Sequence, residues 1–192
     1  TSASPIYLKH PDWFVKGSKG FYPTLWLPDV YGYIQSEILR VIDAYNVKWF
    51  KLDFNQEMEE DPSSTELLLY YRHFYRMIDE LKQARSDVVF ENCASGGLRN
   101  DINTMSRFDV SFLSDNVNPW DGLMSFEQIS MRALPGRVYR WLALQKGPDI
   151  PAYDRRKSSV EHTLVTPASP GAGFANCEVV DADFACKVVC SA

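Results

Sequence analysis

The sequence lacks clustered positive charge and long apolar runs, and these two absences limit what the chain can bind. It carries 20 Lys and Arg against 25 Asp and Glu, for a net charge of −5. The one basic cluster, Arg155–Lys157, is short and typical of a solvated loop, whereas a nucleic-acid surface needs many such residues on one face. No apolar stretch reaches bilayer-spanning length. We therefore expect no nucleic-acid partner and no membrane span.

Cysteine and histidine are also scarce, and their spacing argues against a metal centre. The four cysteines form no Cys-x-x-Cys pair, which zinc sites commonly use. Cys177, Cys186 and Cys190 lie close enough in sequence for one disulfide, but we expect reduced, partly buried thiols. The three histidines match neither a metal-ligand nor a catalytic-triad spacing. The residues thus support neither a metal-dependent nor a serine-hydrolase mechanism.

What the sequence does contain is enough apolar material for one domain with a core. Of its 192 residues, 45% are hydrophobic and 14% aromatic. Aromatic rings fill cores, and they also form flat platforms for sugar rings. No secretory signal peptide is recognisable, and the chain starts at Thr1 rather than Met, so we expect a processed or truncated start. Both a cytoplasmic and a secreted or periplasmic location remain open.

Strand-like and helix-like segments alternate along the first 146 residues. The patterns predict helices over 28–45, 64–85, 98–105 and 125–134, and strands over 25–27, 47–54, 88–92 and 108–113, with 138–144 undecided between the two. Such alternation is typical of a parallel α/β layer. A complete eight-stranded barrel needs about 250 residues. We therefore predict an α/β fold, a partial (β/α)8 TIM barrel lacking its first strands.

The last 46 residues show a different pattern. The chain is loop-like from residue 147, with one possible strand at 162–165, and the segments 175–180 and 184–189 alternate like antiparallel strands. We therefore predict two regions, a partial barrel over 1–146 and a small C-terminal β-rich segment over 147–192.

Asp53 ends the apolar run that begins at Val47, at the strand tip where α/β barrels keep catalytic groups. Lys51 and Asn55 lie two residues to either side, so all three side chains are expected on one face of the strand. A buried Lys51–Asp53 pair would lower the pKa of Asp53 and keep it ionised, as a nucleophile requires. Most lone Asp residues at strand ends are helix caps or ion-pair partners. Here the flanking Lys51 and Asn55 favour a catalytic role instead.

Asp115 stands at the end of a second strand, within Ser114-Asp115-Asn116. The ordinary interpretation is a turn, since Asp and Asn favour turns. As the acid/base carboxylate of a glycosidase, Asp115 would need a partly apolar wall, which Leu113 and Trp120 could provide. Asp121 is a competing carboxylate and could instead bind a sugar hydroxyl.

A glycine-containing turn follows the strand that ends near Asn92. It reads Cys93-Ala94-Ser95-Gly96-Gly97-Leu98-Arg99. Its spacing fits neither the Walker nor the dinucleotide pattern. A tight turn beneath a sugar and an ordinary strand-to-helix turn both remain open.

These elements, in this order, resemble the family 36 glycoside hydrolases, the α-galactosidase or melibiase group. The similarity covers about residues 9–121: His10-Pro11-Asp12-Trp13, Lys51-Leu52-Asp53-Phe54-Asn55, the stretch Cys93–Arg99, and Ser114-Asp115-Asn116. It departs where Leu98 replaces a glycine and where the family's Arg after the first motif has no counterpart. Strands that precede the first motif in the family are absent from this sequence.

The resemblance implies a retaining glycosidase acting on terminal α-D-galactosyl groups of an oligosaccharide or glycoconjugate. Asp53 would be the nucleophile and Asp115 the acid/base. Lys51, Asn55, Cys93 and Gly96 would line the galactose subsite, with Trp120 and Asp121 nearby. No metal or organic cofactor is implied. A preceding segment or a second copy of the chain is expected to close the open barrel edge.

Two other functions stay open on the sequence alone. One is a non-catalytic sugar-binding or structural fragment of such an enzyme. The other is a raffinose-synthase-like transferase, which uses the same carboxylates but a sugar acceptor in place of water. The linkage, the substrate length and the choice between galactoside and N-acetylgalactosaminide are not decided by these residues.

Overall fold

The computed structural model describes residues 2–55, 57–58, 61–116, 119–139, 142–144 and 177–179. The chain divides into two compact units, Thr1–Asp109 and Val110–Ala192. The predicted boundary near residue 146 falls within a stretch outside the described residues, so that division stays a prediction.

The first unit opens with a short helix and a hairpin that the sequence patterns missed. Helix α1 (Pro5–Lys9) leads through a 3-10 turn to strands β1 (Phe14–Gly17) and β2 (Gly20–Pro23), which pair antiparallel. A Cβ at Gly17 would lie 2.8 Å from the Tyr22 ring, so only glycine fits there. The predicted strand at 25–27 is wrong, because those residues form a turn into the next helix.

Two βα units follow, preceded by a helix, and all lie close to their predicted positions. They comprise α2 (Pro28–Tyr45), β3 (Trp49–Asp53), α3 (Glu66–Ala84), β4 (Val89–Cys93) and α4 (Ile102–Arg107). Strands β3 and β4 pair in parallel, with Trp49 opposite Val89 and Asp53 opposite Cys93. The crossover between them is the long helix α3, as parallel strands require.

The residues at the helix ends explain which helices begin or end where they were predicted to and which do not. Asn46 ends α2 in the left-handed conformation, with φ of 50°, as predicted. Ser64 does not cap α3; Thr65 occupies the cap position without a side-chain bond, and Asp61 Oδ1 accepts from the Glu66 amide at 2.8 Å. Asp101 caps α4, so this helix starts at Ile102 rather than at residue 98.

The core of the first unit lies between helix α3 and the two parallel strands. Helix α3 presents an apolar stripe at helical spacing to the strands. Its fully buried members pack with side chains of β4 and the segment after α4: Tyr70, Phe74, Met77, Ile78, Leu81, Phe90 and Phe108. This core fixes β3 and β4, and with them the residues at their carboxyl ends.

The second unit contains short elements, all after Asp109. They are β5 (Val110–Phe112), α5 (Pro119–Ser130), β6 (Val138–Tyr139), β7 (Leu142–Leu144) and β8 (Cys177–Val179). Helix α5 starts six residues before the predicted bound, because Pro119 is preorganised for a first helical turn. β5 pairs in parallel with β6. β8, within the predicted strand 175–180, pairs in parallel with β7, and its expected antiparallel pairing with 184–189 stays a prediction. The possible strands at 162–165 and 184–189 lie outside the described residues.

Candidate active site

The polar residues of β3 lie on one face of the strand, as the alternation predicted. Trp49, Lys51 and Asp53 are exposed, while Phe50 and Leu52 pack against the core. In the parallel register Lys51 stands opposite Glu91, and Asp53 stands opposite Cys93. Since residues in register on parallel strands point to the same side, these four side chains share one face.

Asp53 is bound on two sides by residues that were predicted to accompany it. Asn55 Nδ2 donates to Asp53 Oδ2 at 3.1 Å, and the Cys93 thiol hydrogen-bonds the Asp53 side chain. Asn55 Oδ1 in turn accepts from the Ser95 amide at 2.9 Å and from the Ser95 hydroxyl at 3.0 Å. Asn55 therefore links the carboxylate of β3 to the turn after β4.

Burial controls the ionisation of Cys93. The thiol is almost completely buried, and burial together with the adjacent Asp53 carboxylate raises its pKa from 9.0 to about 11. It therefore stays protonated near neutral pH. A protonated thiol can donate a hydrogen bond to Asp53 without adding a second negative charge beside it.

The expected buried Lys51–Asp53 pair is wrong in one respect, because Asp53 is exposed. The buried carboxylate is Glu91, only 2% exposed. Lys51 Nζ lies 3.2 Å from Glu91 Oε1, and the Trp49 indole donates to Glu91 Oε2 at 2.6 Å. Sequence reasoning missed Glu91 as a site residue; its signal was an acidic residue inside an apolar strand, facing Lys51 in the parallel register.

The turn after β4 adopts a conformation that favours glycine at one position. Ser95 has φ of 42° and Gly96 φ of 80°, both in the left-handed region. The Ala94 amide donates to the Gly96 carbonyl at 3.0 Å, which closes the turn. The turn thereby presents the Ser95 amide to Asn55, and Gly96 itself is buried beside Cys93.

Arg99 fastens this turn to the ends of both strands. Its guanidinium is buried and donates to Asn92 Oδ1 at 2.8 Å and to the Cys93 carbonyl at 3.1 Å. It also stacks 4.5 Å from the Phe54 ring centroid. Burial lowers the pKa of Arg99, but an arginine titrates so far above neutrality that it stays charged. Its bonds to backbone carbonyls fix the peptide positions around Asp53.

A cavity of about 760 Å³ opens beside this turn, lined by residues that include Asn55, Ser95 and Arg99. Its wall is aromatic, with Tyr22 and Tyr70 among the lining residues. Lys51, Asp53 and Cys93 are not among its described lining residues, whereas Asn55, which contacts Asp53, is.

In the second unit, Asp115 is exposed just beyond β5. The neighbouring Asn116 amide donates to Ser114 Oγ, and Asn116 Nδ2 donates to Asp121 Oδ2, both at 3.0 Å. Asp121 is thus held against the Ser-Asp-Asn motif from the first turn of α5. Leu113 is buried as expected. Trp120 belongs to α5, and its side chain lies outside the described part of the chain.

No group of three or more His, Cys, Asp or Glu side chains in the described ranges could hold a metal ion. In the same ranges, no helix is long and apolar enough to cross a bilayer.

Comparison with known proteins places this site in a family. The family model described as melibiase matches residues 1–132, and this match includes β3, the turn after β4 and the Ser-Asp-Asn motif. The chain belongs to the melibiase family. The resemblance inferred from the four motifs is therefore confirmed.

Curated relatives of this chain carry the name alpha-galactosidase. It is 35% identical over 125 residues to a probable alpha-galactosidase C of Aspergillus flavus, a match that covers 60% of this chain and 16% of that protein. It is 30% identical over 125 residues to the alpha-galactosidase of Escherichia coli, covering 59% of this chain and 17% of that one. The chain thus spans about a sixth of the length of these relatives.

Solved structures confirm the predicted fold class. The family 36 alpha-galactosidase AgaA of Geobacillus stearothermophilus matches with a TM-score of 0.79 at 21% identity, over 91% of this chain and 26% of that one. The Lactobacillus brevis alpha-galactosidase matches with a TM-score of 0.75 at 23% identity, over 91% and 25%. The melibiase chain therefore has the fold of part of a TIM barrel. AgaA variants have also been solved in complex with raffinose and with stachyose.

Proposed function

We propose that this melibiase chain carries the catalytic carboxylates of a retaining α-galactosidase. The observation that carries the proposal is the setting of Asp53. It ends a parallel strand in a chain of this family, and Asn55 and Cys93 both donate hydrogen bonds to it. Two donors fix the orientation of the carboxylate at the carboxyl end of the strand, and a nucleophile must be held in a fixed orientation to attack.

The reaction follows a double displacement. Asp53 attacks the anomeric carbon and forms a glycosyl ester, while the glycosidic bond breaks and Asp115 donates its proton to the leaving oxygen. Asp115, now a carboxylate, then removes a proton from water. The resulting hydroxide attacks the anomeric carbon, breaks the ester and regenerates Asp53. The product keeps the α configuration.

The proposed substrate is a terminal α-D-galactosyl group on an oligosaccharide. The support is the family, together with the raffinose and stachyose complexes of the AgaA variants. Lys51, Asn55, Cys93 and Gly96 would line the galactose subsite, and Asp121 and Trp120 would bind the sugar from α5. Water is proposed as the acceptor; a sugar acceptor would make the protein a transferase with the same first step.

Two variants assayed side by side separate the proposed roles. Asp53→Asn removes the nucleophile at nearly constant volume, so turnover of every galactoside should be lost. Asp115→Ala removes only the proton donor, so it should impair raffinose far more than an aryl galactoside whose leaving group needs no protonation, by about 10²-fold or more. The measurement is kcat/KM for both substrates, with circular dichroism to verify folding.

Three outcomes of these assays would count against the proposed function. Unchanged turnover by Asp53→Asn would remove it as nucleophile. Equal losses on raffinose and on the aryl galactoside in Asp115→Ala would remove its acid/base role. Retained galactose binding without turnover in the unaltered chain would favour the alternative of a non-catalytic sugar-binding fragment.

A further inference from the structure

Glu91 lies in the middle of β4, between Phe90 and the buried Asn92. Its side chain is almost fully buried, although carboxylates are rarely buried unless they are paired. Both carboxylate oxygens face the same strand. Oε2 accepts from the Trp49 indole at 2.6 Å, and Oε1 lies 3.2 Å from Lys51 Nζ. Glu91 is therefore placed between two β3 residues on the carboxylate face.

The parallel register makes this placement specific. Lys51 stands opposite Glu91, and Asp53 stands opposite Cys93, one step closer to the carboxyl ends of the strands. Glu91 thus sits one layer below Asp53. A Lys side chain has a flexible four-carbon stem and loses much rotamer freedom when held in place. The ion pair with a buried, rigid carboxylate restricts where the Lys51 ammonium can be.

We propose that Glu91 is a positioning residue that holds the Lys51 ammonium beneath the sugar subsite. The Glu91 carboxylate attracts the ammonium from the inner layer, and Lys51 lies on the same strand face as Asp53, where a hydroxyl group of a bound sugar would accept from an N–H. The negative charge of the Glu91 carboxylate also balances the positive charge of the Lys51 ammonium, on the side away from Asp53. The sugar-facing part of this inference rests on the proposed function; the placement of Lys51 does not.

The matched variant is Glu91→Gln, which keeps the shape and can still accept from Trp49. It replaces the carboxylate near Lys51 with an amide and removes the charge. We expect acetylation of Lys51 by a limiting dose of acetic anhydride, read by peptide mapping, to rise about tenfold, because the ion pair that holds the ammonium at 3.2 Å is lost. The exposed Lys9 serves as the internal standard and should not change.

Two further variants separate positioning from general stability. Trp49→Phe removes the other bond to Glu91 and should leave Lys51 labelling near the wild-type rate. Glu91→Asp keeps the charge and should restore slow labelling in part, even if its shorter side chain lowers the melting temperature. A purely structural role for Glu91 would change labelling of all lysines together in proportion to lost stability.

Kinetics then test the link to the sugar. Glu91→Gln should raise KM for an α-galactoside about tenfold with a smaller change in kcat, and in a Lys51→Met background it should have no further effect on KM. Unchanged Lys51 labelling in a folded Glu91→Gln protein would overturn the inference. So would a KM loss that persists undiminished without Lys51. If the unaltered chain neither binds nor cleaves galactosides, the proposed function fails, and labelling alone still decides the positioning of Lys51.

Discussion

At the scale of single residues, the Asp53 carboxylate contacts the Asn55 amide and the Cys93 thiol, while Lys51 lies against Glu91. The sequence alone predicted that Lys51, Asp53 and Asn55 share a face, because strand alternation depends only on residue spacing. It could not predict that Lys51 pairs with Glu91, since that contact depends on the register between β3 and β4. The roles of these residues in catalysis stay predictions.

The buried thiol gives a measurable pH dependence. Because burial and the Asp53 carboxylate hold the pKa of Cys93 at about 11, alkylation of Cys93 by iodoacetamide should have its pH midpoint near that value. Peptide mapping distinguishes Cys93 from the other cysteines. Since removing the carboxylate charge favours the thiolate, Asp53→Asn should move the midpoint to lower pH.

The raised pKa of Cys93 also makes the stability of the fold depend on pH. A thiol whose pKa is higher in the folded chain than its ordinary 9.0 stabilises the fold below pH 9, and this contribution is lost as pH rises toward 11. An alkylation midpoint at 9 in the folded protein, as in a urea-unfolded control, would contradict the burial and the Asp53 contact together.

At the scale of secondary structure, most elements were predictable from local patterns, and the misses have local causes. Helix α2 ends at Asn46 because a left-handed residue terminates it. The bounds of α3 and α4 moved because their first turns are satisfied by Asp61 and Asp101, which are not distinguishable from other polar loop residues by pattern alone. The β1–β2 hairpin was missed because its aromatic and glycine residues read as irregular loop.

The cap of α4 is a testable element, because this helix follows the turn that carries Gly96 and Arg99. Asp101 Oδ1 accepts from the Thr104 amide at 3.0 Å, and Oδ2 accepts from the Thr104 hydroxyl at 2.6 Å. Asp101→Ala should lower the free energy of unfolding by about 1 kcal/mol in urea titrations. Asp101→Asn is the matched control and should retain most of that stability, since Asn caps equally well.

The cap also has a pH signature. Burial raises the pKa of Asp101, but hydrogen bonds from Thr104 and the nearby backbone outweigh it, so the pKa lies below its ordinary 3.8. The charged carboxylate therefore stabilises the fold above that pH, and its contribution is lost as pH falls through the lowered value. An Asp101→Ala protein as stable as wild type at pH 7 would contradict the cap.

At the scale of the whole molecule, the chain corresponds to a part of the architecture of its relatives. It spans about a sixth of the length of its curated relatives and about a quarter of the solved structures that match it. The alternation of strands and helices was sufficient to predict a partial barrel, because βα units are regular. Closure of the barrel edge by a preceding segment or by a second copy of the chain stays a prediction.

The most direct test of the central claim is covalent trapping at Asp53. The chain would be incubated with a 2-fluoro or cyclitol-type α-galactosyl inactivator, its intact mass measured and the labelled peptide mapped, with Asp53→Asn as the control. A retaining mechanism predicts one glycosyl adduct, on Asp53, and none on the variant. An adduct on a different residue, or a folded chain that binds galactose and forms no adduct, would contradict the assignment of Asp53 as the nucleophile.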